Sequence, residues 1–176
     1  MKKLIALILT LVLCIGVLCS CSDNDQSAPD GMKAVQSSDN LDYNIYIPEE
    51  WTQDLSTGVI SAYCKSSDLS NISMTQFNLE DTDTLDKHVE DYVAELEANL
   101  DEFKLSEGYP QKTLLGGVAA SKIEYTAKLA GNEYKYAQII CIRKGTIYFF
   151  TYTSNANNFD SHAEDIKNIL DNFSFR

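Results

Sequence analysis

The residues best suited to catalysis or to metal binding are scarce in this sequence. It contains two histidines, His88 and His162, and five cysteines among 176 residues. No H-x-x-x-H or C-x-x-C spacing occurs, so a zinc site would have to recruit carboxylates from elsewhere in the chain. Each histidine falls on a predicted helix. We therefore predict surface or boundary positions for both, with no metal site and no cofactor.

Asp160-Ser161-His162 contains the residue types of a serine hydrolase. A serine nucleophile must be held against its base, whereas neighbouring residues at the start of a helix point in different directions. Asp and Ser there are also ordinary caps, and the sequence has no G-x-S-x-G motif. We predict that the protein is not an enzyme. A hydrolase with Ser161 as nucleophile is the enzyme-class alternative.

The segment Glu80–Asp86 holds four carboxylates that could bind calcium weakly. It lacks the central glycine and the ligand spacing of an EF-hand loop. Capping of the helix that follows, together with solvation, explains these acidic residues. Weak calcium binding is left open.

The start of the sequence has the layout of a bacterial export signal. Met1-Lys2-Lys3 precedes an apolar run from Leu4 to Leu18, which is shorter than the roughly 20 apolar residues of a membrane span. The junction Leu18-Cys19-Ser20-Cys21 resembles the bacterial lipoprotein box, in which an aliphatic residue and two small residues precede the lipidated cysteine. Alignment on Cys21 fits this pattern, whereas alignment on Cys19 places the bulky Leu18 at the cut.

The lipoprotein resemblance implies cleavage after Ser20 and a diacylglyceryl group on Cys21. Two acyl chains hold a protein firmly at a membrane, while one chain holds it marginally. Residues 1–20 are thus predicted to be a signal peptide, and residues 21–32 a lipidated cysteine with a flexible acidic tether. Residues 33–176 are predicted to form one globular domain. The predicted location is the extracytoplasmic face of the cell membrane.

The charge of the chain argues against some classes of partner. Removal of residues 1–20 takes two of the 14 basic residues and none of the 26 acidic ones, which leaves a side-chain balance of −14. Such a surface repels nucleic acid and anionic lipid head groups. We predict no nucleic-acid partner, and we predict that the lipid on Cys21 holds the protein at the membrane.

Two further cysteines, Cys64 and Cys141, belong to the predicted domain. A disulfide between them is permitted outside the cytoplasm, but two cysteines alone do not make a disulfide framework. Both possibilities stay open, and two buried thiols is the simpler one.

Hydrophobic periodicity predicts several short strands and two helices. Residues 41–48, 58–66 and 71–79 have the composition of strands bounded by turn residues. Apolar residues spaced by three and four predict a helix over residues 84–103, with Asp83 as its N-cap. A second amphipathic helix is predicted over residues 158–172.

The C-terminal half alternates almost perfectly between apolar and polar residues. Gly131-Asn132 and Lys144-Gly145 are predicted to be two-residue turns between three strands. The resulting register makes both faces of the sheet apolar at their centres, so both need a cover. We therefore predict an α+β fold, an antiparallel sheet covered by helices on both faces.

Three stretches resemble the PsbP-like group, named for an extrinsic subunit of the oxygen-evolving photosystem. They are "DYNIYIPEEW", "GGVAASKIEYTA" and "GTIYFFTYTSNANNFDSHAEDIKNILDNFSF", within residues 40–176. The resemblance implies an α/β/α sandwich with an antiparallel sheet. Its members include photosystem subunits, a small nuclear-transport factor that binds a GTPase, and many bacterial lipoproteins, and none supplies a catalytic motif.

The function expected from these features is that of a lipid-anchored, non-enzymatic module that binds a protein or envelope component near the membrane. A second possibility is a receptor for a sugar, peptide or cation, with exposed tyrosines such as Tyr46 or Tyr109 stacking on the ligand. An envelope hydrolase is the third.

Overall fold

The computed structural model describes residues 28–36, 41–56, 59–65, 68–80 and 82–176. The predicted signal peptide at residues 1–20 and the predicted lipidation site Cys21 lie outside these residues, as does most of the predicted tether. The first strand begins at Met32, one residue before the expected start of the domain.

Most strands belong to one antiparallel sheet of eight strands. Its members are β4 (Thr52–Asp54), β5 (Ile60–Lys65), β6 (Asp68–Asn78), β7 (Asp101–Leu105), β8 (Gln111–Leu115), β9 (Val118–Leu129), β10 (Asn132–Arg143) and β11 (Thr146–Asn155). The strand order is β4-β5-β6-β11-β10-β9-β7, and β8 pairs with β9 beside β7. The predicted antiparallel sheet is confirmed.

Two small pairs of strands lie outside this sheet. Strand β1 (Met32–Ala34) pairs with β3 (Tyr46–Pro48), and β2 (Tyr43–Asn44) pairs with β12 (Ser174–Phe175) near the end of the chain. The predicted strand over residues 41–48 is therefore divided between two pairings.

The turns of the C-terminal hairpins set the register of the sheet. Lys144-Gly145 joins β10 to β11 as predicted, but Ala130-Gly131, not Gly131-Asn132, joins β9 to β10. All four turn residues have positive φ, as in the turns that suit two-residue hairpins. Moving such a turn by one residue shifts the register between the two strands by two residues. Because side chains alternate with a period of two, every side chain stays on its predicted face.

Helix α1 (Leu85–Asn99) is shorter than predicted at its C-terminal end. Its N-cap is Thr84 rather than Asp83, because the Thr84 hydroxyl accepts a hydrogen bond from the Lys87 backbone N–H at 3.2 Å. After Asn99 the chain turns extended and enters β7, which pairs with β9. Phe103 still packs against the same core as the helix, so its spacing fits a helix and a strand equally well.

The second predicted helix begins as a 3-10 turn. Residues Phe159–His162 form this turn, and helix α2 (Ala163–Asp171) follows directly.

Two hydrophobic clusters pack against the central strands, and alternate residues of β10 and β11 belong to different clusters. The first cluster contains Val89, Tyr92, Leu96, Ile123, Tyr125, Ile140, Ile147 and Phe149. The second joins Ile139, Cys141, Tyr148, Phe150 and Tyr152 to Ile47, Trp51, Ile169 and Phe173, among others. The alternation predicted from the sequence is the one observed.

The turn between β8 and β9 lies directly under the C-terminal aromatic residues. A Cβ atom at Gly116, where φ is +53°, would lie 3.0 Å from ring carbons of Phe173 and Phe175. Its neighbour Gly117 also has a positive φ, +81°, but a Cβ there would meet nothing within 4 Å.

Gly116→Ala should therefore destabilise the domain more than Gly117→Ala. Both substitutions place a side chain in the left-handed region, which costs about 1–2 kcal/mol, and only the first also forces overpacking, worth about 1–3 kcal/mol. Urea unfolding followed by the fluorescence of Trp51, the single tryptophan of the chain, measures both. Equal losses in the two variants would contradict the packing of Phe173 and Phe175 on this turn.

Candidate functional site

Cys64, Asp68 and His162 bring three different potential metal ligands together. The thiol sulfur, a carboxylate oxygen and an imidazole nitrogen lie within 4.8 Å of one another. No other group of three or more His, Cys, Asp or Glu side chains converges in this way among the residues that the structure describes. We refer to these three residues as the Cys64–Asp68–His162 cluster.

The cluster forms where the β5–β6 hairpin meets the 3-10 turn that follows β11. Cys64 is near the end of β5 and Asp68 begins β6. Strand β6 pairs with β11 as far as Asn71 opposite Thr153, which brings the end of β11 beside the hairpin. The 3-10 turn then passes over this end of the sheet and supplies His162.

The 3-10 turn is fixed to the sheet by Tyr152 and Phe159. The Tyr152 hydroxyl donates a hydrogen bond to the Phe159 carbonyl oxygen at 2.8 Å, and the two rings are 4.8 Å apart. Burial raises the pKa of Tyr152 to about 12, so its hydroxyl keeps its proton and stays a donor. The position of His162, three residues after Phe159, is therefore set by core packing.

The His162 imidazole lies between two carboxylates. Its Nε2 is 3.0 Å from Asp68 Oδ2, and its Nδ1 is 3.3 Å from Asp165 Oδ2. The side chain is 11% exposed, and its ring forms a T-shaped contact with the buried Trp51 ring at a centroid distance of 5.8 Å. Nε2 is thus directed toward Asp68, and Nδ1 is directed toward Asp165.

The Asp68 carboxylate is oriented by Ser70. Its Oδ1 accepts hydrogen bonds from the Ser70 backbone N–H at 3.0 Å and from the Ser70 hydroxyl at 2.6 Å. Ser70 is itself buried and lies 2.7 Å from the Ser154 hydroxyl on β11. Burial opposes ionisation of Asp68, but the hydrogen bonds from Ser70 and His162 outweigh it and leave the pKa of Asp68 below its usual value.

The Cys64 thiol is half-buried and forms no disulfide. Burial, with a further contribution from the negative charge of Asp68, raises the pKa of Cys64. Both a cysteine nucleophile and a cysteine metal ligand act as the thiolate, so the chemistry of Cys64 depends on a group that stabilises its negative charge.

Comparison with known families and structures identifies the family of the chain and solved proteins that share its fold. Its sequence matches the DcrB family over residues 44–172. The chain belongs to the DcrB family. No curated protein matches it in sequence.

Solved structures similar to this DcrB-family protein share its fold at low identity. LpqN of Mycobacterium tuberculosis, described as involved in cell envelope biogenesis, has a TM-score of 0.60 and 16% identity, covering 81% of this chain and 89% of LpqN. Cyanobacterial PsbP of Synechocystis has a TM-score of 0.59 and 14% identity, covering 92% and 100% of the two chains. A Pseudomonas aeruginosa protein of unknown function has a TM-score of 0.60 and 16% identity, covering 82% and 97%. The predicted PsbP-like fold is confirmed.

The residues that the sequence singled out are dispersed in the DcrB-family domain. Glu80, Asp83 and Asp86 are exposed, and they do not form a group of three converging metal ligands among the described residues. Asp81 lies outside the described residues. The two ring nitrogens of His162 lie beside the carboxylates of Asp68 and Asp165 rather than that of the neighbouring Asp160.

The exposed tyrosines and the disulfide expected as alternatives are also not observed. Tyr46 and Tyr109 are half-buried, and the Tyr109 hydroxyl donates to Glu124 at 3.3 Å. Cys64 and Cys141 are separated by two intervening strands. Three strand spacings of about 4.8 Å exceed the reach of a disulfide.

Sequence reasoning missed the Cys64–Asp68–His162 cluster because its members are far apart in the chain. Asp68 and His162 are separated by 94 positions. Their contact depends on the pairing of β6 with β11, two strands that are not consecutive. No local motif encodes that pairing.

Among the described residues, no helix has the length and apolar character needed to cross a bilayer.

The two domain cysteines of this DcrB-family protein should differ in their reactivity. Cys141 is fully buried, and its burial raises its pKa to about 12, whereas Cys64 is half-buried. N-ethylmaleimide applied to the native full chain should modify Cys64 first and Cys141 only after unfolding, as resolved by peptide mass spectrometry. Equal rates in the native chain, or modification that requires prior reduction, would contradict this arrangement.

Proposed function

We propose that this chain is a lipid-anchored, non-enzymatic module at the extracytoplasmic face of the cell membrane that binds a protein or another envelope component. The observation that carries this proposal is the short distance along the chain from the lipoprotein box to the fold. Cys21 is eleven residues before Met32, where strand β1 begins. Even fully extended, eleven residues span at most about 40 Å, so in this proposal the domain works next to the membrane.

Similarity to other proteins supports an envelope role at the level of fold. LpqN, described as involved in cell envelope biogenesis, shares the fold of this chain. The acidic balance of the sequence opposes attraction to anionic head groups, so the membrane contact in this proposal depends on the acyl chains of Cys21. The partner is then a component that is itself held at the membrane.

The arrangement of helices is part of the same proposal. Helix α1 packs through Val89, Tyr92 and Leu96 in the first cluster, and α2 packs through Ile169 in the second. Since the two clusters use alternate residues of β10 and β11, we infer that the helices cover opposite faces of the sheet as an α/β/α sandwich. A partner would then meet the edges, the ends or the helix surfaces, because the sheet faces are already buried.

The anchor can be tested by substitution of the two neighbouring cysteines. Cys21→Ala should release the domain from the membrane fraction, because it removes the sulfur that carries both acyl chains. Cys19→Ala is the matched control and should leave the protein attached. Fractionation with immunoblotting, together with the mass of the N-terminal peptide, measures both. A Cys21→Ala protein that stays bound and lipidated would contradict the assignment of the box.

The partner can be sought by crosslinking in cells, with the anchored protein compared to the Cys21→Ala form. The proposal predicts one enriched envelope component, recovered with the anchored protein and reduced with the released form, because the lipid concentrates both at the same membrane. Labelling by a serine-reactive activity probe that is lost in Ser161→Ala would instead support the envelope hydrolase.

A further inference from the structure

We propose that Cys64, Asp68 and His162 form a binding site for a thiophilic divalent metal ion such as Zn²⁺. The three side chains supply sulfur, oxygen and nitrogen from three separate elements, and their ligand atoms already lie within 4.8 Å of one another. This inference is independent of the lipid anchor and of the partner proposed above.

The chemistry of the ligands selects the class of metal. Thiolate and imidazole favour zinc and related ions, whereas calcium and magnesium prefer sites made of oxygen alone. A cysteine thiolate and the Asp68 carboxylate carry two negative charges, which balance a divalent cation when His162 is neutral. A half-buried site gains from this neutrality, because an unbalanced charge is costly away from water.

Neighbouring groups orient the ligands as they do in built metal sites. Ser70 occupies Asp68 Oδ1 through two hydrogen bonds, which leaves Oδ2 directed toward His162. Asp165 Oδ2 lies 3.3 Å from His162 Nδ1, so the tautomer protonated at Nδ1 can donate a hydrogen bond to this carboxylate. In the proposed site this tautomer replaces the contact of Nε2 with Asp68 and turns the Nε2 lone pair toward the metal, an arrangement that metal-binding histidines almost always have.

The distances require only a small closure to accommodate zinc. Zn²⁺ binds sulfur at about 2.3 Å and nitrogen or oxygen at about 2.0–2.2 Å, so tetrahedral ligand atoms are roughly 3.5 Å apart. Asp68 Oδ2 and His162 Nε2 are 3.0 Å apart and the three ligand atoms lie within 4.8 Å of one another, distances that side-chain rotation can adjust to these values. Three protein ligands leave a fourth position for water or for a group from a partner.

The alternative explanation of the same geometry is a structural ion pair. A protonated His162 between Asp68 and Asp165 would stabilise the 3-10 turn without any metal. That arrangement gives Cys64 no role, whereas a metal site requires its sulfur. The test must therefore report on the thiol.

Titration of the full chain with Co²⁺, a spectroscopic substitute for Zn²⁺, reports on the thiol directly. Coordination by Cys64 should produce a thiolate-to-cobalt charge-transfer band in the near ultraviolet, saturating at one ion per chain. Trp51 provides a second signal, because its ring is 5.8 Å from that of His162 and a bound open-shell ion should quench its fluorescence. Added Zn²⁺ should displace the cobalt and reverse both signals.

Matched variants identify the ligands. Cys64→Ser and His162→Gln should abolish the charge-transfer band, while Cys141→Ala and His88→Gln should retain it. Asp165→Ala removes an outer partner and should weaken cobalt binding by about 10–100-fold. Cys64→Ser is nearly isosteric, so it separates loss of a ligand from loss of folding, which the melting temperature of each variant checks.

The outcomes are distinct. A band that is absent from the native chain, or that persists unchanged in Cys64→Ser, would overturn the metal site and leave the ion pair of His162 as the explanation. An affinity that is the same in Asp165→Ala as in the native chain would overturn the role of Asp165 in orienting His162. None of these results bears on release of the domain by Cys21→Ala.

Discussion

The structure depends on one constraint, which is that the two central strands are apolar on both faces. Along β11, Ile147 and Phe149 belong to one cluster, and Tyr148 and Phe150 to the other. All four side chains are at most 6% exposed, and burial of such a side chain contributes about 1.5–3 kcal/mol. A sheet with this pattern is stable only when each face is covered, so the remaining elements are placed by what they must cover.

The cover of the second cluster is assembled from both ends of the described chain. Strand β2 pairs with β12, and the Arg176 backbone N–H donates to the Asp42 carbonyl oxygen at 2.7 Å. The Asp42 carboxylate accepts hydrogen bonds from the Tyr148 hydroxyl at 2.6 Å and from Arg143 at 3.0 Å. The Arg143 guanidinium also lies over the Phe175 ring. A polar network thus joins the cover to the edge of the apolar layer that it closes.

Sequence alone determined the parts of the fold whose signals are local. The strict alternation of β9, β10 and β11 gave the correct faces even where the turn before Asn132 was displaced by one residue, because that error moves pairing by two. The predicted C-terminal end of α1 was wrong, because the position of Phe103 fits the spacing of a helix and that of a strand. Only the pairing of β7 with β9 decides between them. Strands β7 and β8 were not predicted, because their pairing with β9 likewise depends on tertiary contacts.

The Cys64–Asp68–His162 cluster shows why a candidate site can escape such reasoning altogether. In the sequence, Cys64 is a possible disulfide partner, Asp68 belongs to no motif and His162 is predicted at a boundary position, and each prediction suits an isolated residue. What joins them is the covering layer. Phe159 is buried because the sheet needs a cover there, and burial of Phe159 carries His162 onto the β5–β6 hairpin. The polar cluster is therefore a consequence of apolar packing, since the same contacts that close the core fix the imidazole beside a thiol and a carboxylate at its rim.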